Sequence, residues 1–125
     1  MKLILDTCIQ DEFHALPLYG SALHFMQWGY RVVLLGVNTP PTALAQSIQS
    51  LKPEAVGLSI TQIPSKEKAE LLLPIYANIC RNVTWIVGGA GAYALRDFIE
   101  SLGGMVAVGN PESIRLKFDA RMMHL

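Results

Sequence analysis

The sequence predicts an α/β fold: a single doubly wound parallel sheet of five strands, flanked by helices. Three observations carry this. Short β-rich runs alternate with segments of helical period along the whole chain, the arrangement of successive βαβ units. Hydrophobic residues make up 51% of the composition and charged residues 16%, as expected when strands are covered on both faces and read as continuous apolar runs. A length of 125 residues suits one domain, taken as 1–125, with enough chain to bury one substantial core.

The first strand is expected over Lys2 to Thr7. The first helix follows over about Ala15 to Trp28, with Leu18, Ala22, Phe25 and Met26 at core spacing and Gly29 as its stop. The second strand, Arg31 to Leu35, runs into Gly36-Val37-Asn38-Thr39-Pro40-Pro41. There Thr39 or Thr42 is a candidate cap for a second helix that turns Leu44, Ile48 and Leu51 inward and closes at Lys52-Pro53. The third strand is Ala55 to Ile60. After a polar connection, Thr61 to Ser65, a helix from Lys66 to Cys80 starts at Ser65 and buries Leu72, Tyr76 and Ile79.

The fourth strand, Val83 to Val87, enters Gly88-Gly89-Ala90-Gly91. One helix then carries Leu95, Phe98, Ile99 and Leu102 and ends at Gly103-Gly104. The fifth strand, Met105 to Val108, passes through Gly109-Asn110-Pro111 to a closing helix near Glu112 to Phe118. Right-handed crossovers between these strands give the order 2-1-3-4-5, a flavodoxin-like variant of the Rossmann-like architecture. Trp28 and Trp85 are assigned to the core.

Composition excludes several classes of function. The 10 basic and 10 acidic residues cancel and form no Lys/Arg cluster, so the chain lacks the electrostatic footprint for contacting nucleic acid directly. Charges such as Asp6, Arg31 and Lys52 interrupt every apolar run short of the roughly 18 to 20 residues a membrane span needs. The amino end turns acidic too soon for a signal peptide, so a cytoplasmic protein is expected. Cys8 and Cys80 fit no metal-ligand spacing and are expected as reduced thiols.

In open α/β sheets, ligands bind in the crevice outside the carboxyl ends of the strands. With the expected order, strands one, three and four are neighbours. Their loops, Asp11 to Pro17, Ser59 to Ile63 and Gly88 to Gly91, converge beside the switch point between strands one and three. The first loop is the most polar, with Asp11, Glu12 and His14 leading into Pro17, a residue tolerated in the first turn of a helix. A ligating imidazole needs one nitrogen free and the other oriented by a partner. Glu12, or alternatively Asp11, stands where it would supply one. On residue type alone, His14 also suits a helix start, Ser59 a strand end and Gly88-Gly89 a turn with positive φ. His24, on a helix face, and His124, in the terminal segment, are given no role.

Glu12-x-His14-x-x-Pro17, Ser59-x-Thr61 and Gly88-Gly89, in this order, resemble the Asp-x-His-x-x-Gly, Ser-x-Leu and Gly-Gly signature of cobalamin (vitamin B12)-binding domains. Glu stands here for Asp and Pro17 for Gly. The likeness covers nearly the whole chain, including Gly29-Tyr30-Arg-Val-Val-Leu-Leu-Gly36 and Leu51-Lys-Pro-Glu-Ala-Val-Gly57-Leu58-Ser59. In texture it is nearest to the B12-binding sensor modules of transcriptional regulators, light-responsive ones among them. The resemblance implies a base-off corrinoid with His14 as lower axial cobalt ligand and Glu12 in the same site. It also implies that Ser59 bonds the displaced base, that Gly88 and Gly89 make room for the tail, and that Pro17 and Thr61 belong to the same site. It implies a sensor without catalytic residues of its own, whose helical or DNA-binding partner lies outside these residues.

Other assignments for this fold compare less well. Gly89-x-Gly91-x-x-Ala94 has the form of a dinucleotide fingerprint, but it follows the fourth strand, with too little sheet left for the second half. A phosphoacceptor receiver needs an acidic residue where Ser59 stands, and a flavodoxin needs a Ser/Thr/Gly-rich loop after the first strand. A haem-binding sensor is the main rival, since imidazole also ligates iron. A cofactor-less interaction module is the third possibility.

Overall fold

The computed structural model describes residues 1–123. A parallel five-stranded sheet in the order β2-β1-β3-β4-β5 forms its centre, as the alternating pattern implied. The strands are β1 (Leu3–Ile9), β2 (Arg31–Thr39), β3 (Ala55–Ser59), β4 (Thr84–Gly88) and β5 (Met105–Val106). The helices are α1 (Ala15–Gln27), α2 (Pro41–Leu51), α3 (Lys66–Ile79), α4 (Ala90–Ala94), α5 (Arg96–Ser101) and α6 (Pro111–Met122).

Alternation along the strands separates two apolar layers. Leu5, Val56, Leu58 and Val87 pack with Leu44, Leu73, Tyr76 and Ile99 from the helices between β2 and β5. On the other face Ile4, Ala55, Ile86 and Met105 meet Phe25 of α1 and Phe118 and Met122 of α6. Phe118 is fully buried against the rings of Phe25 and Tyr30, with centroids 5.4 and 5.3 Å away. Such burial contributes roughly 1.5–3 kcal/mol per large side chain. This second layer thins toward the carboxyl edge, where Gly57, Ser59, Gly88 and Ala107 present little or no side chain.

Several boundaries differ from expectation. β1 and β2 run on to Ile9 and Thr39 because they pair with each other beyond the point where apolar residues stop, through two register irregularities. Neither Thr39 nor Thr42 caps α2. Pro40 is the cap residue and Pro41 fills the first turn, while the Thr39 hydroxyl is buried 2.6 Å from that of Thr7. Met26 and Leu51 are exposed rather than core, each lying off the face its helix turns to the sheet. The single helix expected after β4 is two, broken at Leu95 (φ −104°, ψ 16°), although Ile99 is buried as expected. Ser65 does cap α3, its hydroxyl accepting the Lys68 amide at 3.2 Å. Trp85 is core, and Cys8 and Cys80 are buried free thiols. His124 lies outside the described residues. Among those residues, no helix is long and apolar enough to cross a membrane.

Candidate functional site

Strand register brings the motif residues together at the carboxyl edge. Cys8 pairs with Ser59 and Ser59 with Gly88, so the ends of β1, β3 and β4 stand abreast. Beyond them the β1–α1 loop rises to His14, the residue before α1, with its imidazole half exposed.

Glu12 organises this corner. Its side chain is only 3% exposed. One carboxylate oxygen accepts the His14 backbone amide at 3.2 Å and faces His14 Nδ1 at 2.7 Å. The other accepts the amides of Thr61 and, at 3.0 Å, Gln62. Burial by itself would raise the Glu12 carboxyl. The hydrogen bonds from His14, Gln62 and Thr61 outweigh it and hold the group down at about 2, ionised at any ordinary pH. In the neutral imidazole, an ionised partner at Nδ1 keeps the proton on that nitrogen and leaves the lone pair on Nε2. The Thr61 hydroxyl, 3.0 Å from Nδ1, completes the cradle.

Asp11, the alternative partner for the imidazole, is turned away. It adopts positive φ (69°), its amide donates to Asn38 Oδ1 at 2.8 Å, and its carboxylate pairs with Lys68 at 2.5 Å. The loop is tied from below as well. The Tyr76 hydroxyl accepts the Gln10 amide at 2.9 Å and donates to the Thr39 carbonyl at 2.6 Å. Exposed apolar side chains lie on the segments that follow these strands: Phe13 and Leu16 close to His14 in sequence, Ile63 after β3 and Tyr93 in α4.

Beneath this edge, between the sheet and α1, lies an apolar cleft of about 180 Å³. Its floor is the small-residue strip of Gly57, Ser59, Gly88 and Ala107. Its wall is the α1 face carrying Pro17, Ser21, Phe25 and Trp28. The two glycines of the β4 loop serve different ends. A Cβ on Gly89, whose φ is +105°, would strike the Ile60 carbonyl, so this glycine is required by the chain itself. A Cβ on Gly88 would meet nothing closer than Ala107 at 3.8 Å, so its missing side chain leaves cleft volume. Cavities of about 150 Å³ hold a benzene ring, so the cleft has room for an aromatic group.

Sequence reasoning missed the α1 wall. Trp28 was assigned to the core, yet it is half-buried at the cleft with His24 stacked on it (centroids 5.9 Å apart). The recurrence Pro17, Ser21, His24, Trp28 at helical spacing was the available signal. Asp6 was also missed. Its carboxyl is fully buried beneath this wall, and neither oxygen has a hydrogen-bond partner among the described residues.

A half-exposed imidazole held by a buried carboxylate, above an apolar cleft at the switch point of a 2-1-3-4-5 sheet, defines a flavodoxin-like domain whose candidate ligand site lies at the carboxyl edge. The B12 binding domain family model matches residues 2–115, and the chain belongs to that family. The HTH-type transcriptional repressor CarH of Myxococcus xanthus is 34% identical over 110 residues, covering 87% of this chain and 37% of CarH. The HTH-type transcriptional repressor CarA of the same organism is 29% identical over 112 residues, covering 90% and 39%. The chain thus spans well under half the length of these relatives. In fold it is similar to a cobalamin-binding protein from Desulfitobacterium hafniense, with a TM-score of 0.71 at 14% identity over 97% of this chain and 58% of that one.

Proposed function

We propose that this chain is the cobalamin-binding part of a regulatory protein and holds the corrinoid base-off, with His14 as lower axial cobalt ligand. The observation that carries the proposal is the Glu12–His14 pair, which engages Nδ1 of a half-exposed ring and, in the neutral imidazole, would leave Nε2 free to ligate. A single protein nitrogen would suit a metal that a macrocycle already holds. The exposed Phe13, Leu16, Ile63 and Tyr93 suit the apolar underside of such a ring.

The cleft residues fit the displaced tail. Ser59 supplies a hydroxyl, Gly88 the space, and Pro17 and Ser21 the wall at the mouth. Thr61 and Glu12 hold the ligating imidazole in place. Bound cobalamin supplies a cobalt whose upper ligand is exchangeable, which is the chemistry a sensor reads. The domain itself contributes binding and orientation, not catalysis, and DNA contact belongs to a segment or partner outside this chain, in keeping with the repressor relatives.

Spectroscopic titration with hydroxo-, methyl- and adenosylcobalamin, in dark and light, tests this. A base-off, His-on spectrum that disappears in His14→Ala is expected. An unchanged spectrum in His14→Ala would remove His14 from the role. Binding of haem but of no corrinoid would overturn the cofactor assignment, and a chain that stays colourless with both would leave an interaction module.

A further inference from the structure

Asp6 is a buried carboxyl with no hydrogen-bond partner among the described residues, on the apolar face that carries Ile4, Phe25, Ala55 and Ile86. An unpartnered polar group at such a place costs stability unless something satisfies it when the protein works. Its surroundings say what that could be. Asp6 pairs in register with Gly57, and an added Cβ at Gly57 would lie 2.5 Å from Asp6 Oδ1 and 3.1 Å from the Phe25 ring. The carboxyl therefore sits in the space that Gly57 leaves open. Gly57, Ser21 and Phe25 all line the cleft. Ser59 lies two residues further along β3 on the same face, roughly 7 Å nearer the mouth. Asp6 itself does not line the cleft: it lies directly behind Gly57, which does, so a group entering past Ser59 meets Gly57 with the carboxyl immediately behind it.

We propose that Asp6 reads the base at the end of the corrinoid tail and favours an aminopurine over dimethylbenzimidazole. The proposal rests on the corrinoid assignment above. A neutral carboxyl presents one donor and one acceptor side by side. An aminopurine edge presents a ring nitrogen that accepts and an amine that donates, so both oxygens are satisfied at once. Displaced dimethylbenzimidazole has one accepting nitrogen and no N–H, so it leaves the second oxygen orphaned. Burial raises the carboxyl to about 7, so the neutral form is available near neutral pH.

The test is a spectroscopic titration of the intact chain with an adenine-tailed corrinoid, with cobalamin and with cobinamide, which has no tail base. Wild type should bind the adenine-tailed form roughly tenfold tighter than cobalamin, the worth of one additional buried hydrogen bond. Asp6→Leu should abolish that ratio and leave cobinamide affinity unchanged. Asp6→Asn, whose amide also pairs a donor with an acceptor, should keep most of the preference, and Asp6→Ser should lose it even if the leucine variant does not fold. Equal preference in wild type and the leucine or serine variant would overturn the role of Asp6 while leaving corrinoid binding intact. Failure of wild type to bind any of the three would instead overturn the cofactor assignment.

Discussion

Glu12 Oε2 stands 2.7 Å from His14 Nδ1, while the other oxygen of the same carboxylate accepts backbone amides from Thr61 and Gln62. One buried anion thus ties the loop after β1 to the loop after β3 and sets the orientation of the imidazole between them. Every contact in this arrangement is made by the chain's own residues, so the fold itself sets the position of the imidazole.

Glu12→Gln should separate orientation from folding. The glutamine carbonyl can still accept the Thr61 and Gln62 amides, but its NH₂ meets the Nδ1 proton as donor against donor. The imidazole then turns or changes tautomer. Corrinoid affinity is expected to fall about 10- to 100-fold with little change in melting temperature. Glu12→Ala, which also strips the two amides of their acceptor, should lower both. Undiminished affinity in Glu12→Gln would show that the carboxylate does not orient the ligand.

Asp6 gives the ligand-free protein a definite pH dependence. Its carboxyl is raised from 3.8 to about 7 by burial, so the folded chain keeps a proton that the unfolded chain has already released between these values. The unfolded state binds fewer protons there, and stability from this group falls as pH rises from about 4 to 7, by roughly 4 kcal/mol at the upper bound. Asp6→Asn should flatten that decline and be more stable than wild type at pH 8. Parallel curves of denaturant midpoint against pH for the two proteins would refute the assignment.

Gly88→Ala and Gly89→Ala should fail in different ways. Alanine at 89 is strained by the positive φ and runs into the Ile60 carbonyl, so this variant loses stability by more than the 1 kcal/mol typical of a mild glycine replacement. Alanine at 88 keeps the fold but narrows the cleft. It should bind cobalamin more weakly than wild type and cobinamide equally well. A selective loss of cobalamin binding in the position-89 variant, with the position-88 variant silent, would reverse these roles.

Strand order and the three converging loops were legible in the sequence because parallel strands buried on both faces are continuous apolar runs, and their order follows from connection handedness. His14, Glu12 and Ser59 were legible as an ordered motif. The choice of Glu12 over Asp11 was not, since it depends on Asp11 adopting positive φ and pairing with Lys68, a contact between segments far apart in the chain. The cleft was illegible for a related reason. It is made by absence, where Gly88 and Ala107 leave space opposite Trp28, and periodicity marks an apolar residue without saying whether anything fills the volume beside it.

Tyr76 carries the last prediction, because it joins the core to the site. Its ring is fully buried and its hydroxyl bridges the Gln10 amide and the Thr39 carbonyl, so it braces the stem of the loop that ends in His14. Burial raises the hydroxyl to about 12, so it stays protonated and donates throughout the usual range. Tyr76→Phe keeps the packing and removes only the bridge, leaving two backbone groups without a partner at about 1–3 kcal/mol. At roughly 4 °C per kcal/mol for a chain of this size, the melting temperature should drop measurably. Amide exchange should quicken at Gln10 to His14 more than in β3 or β4, and corrinoid affinity should fall with it. If exchange instead rises evenly across the sheet, Tyr76 serves only the core and the loop owes its position to Glu12 alone.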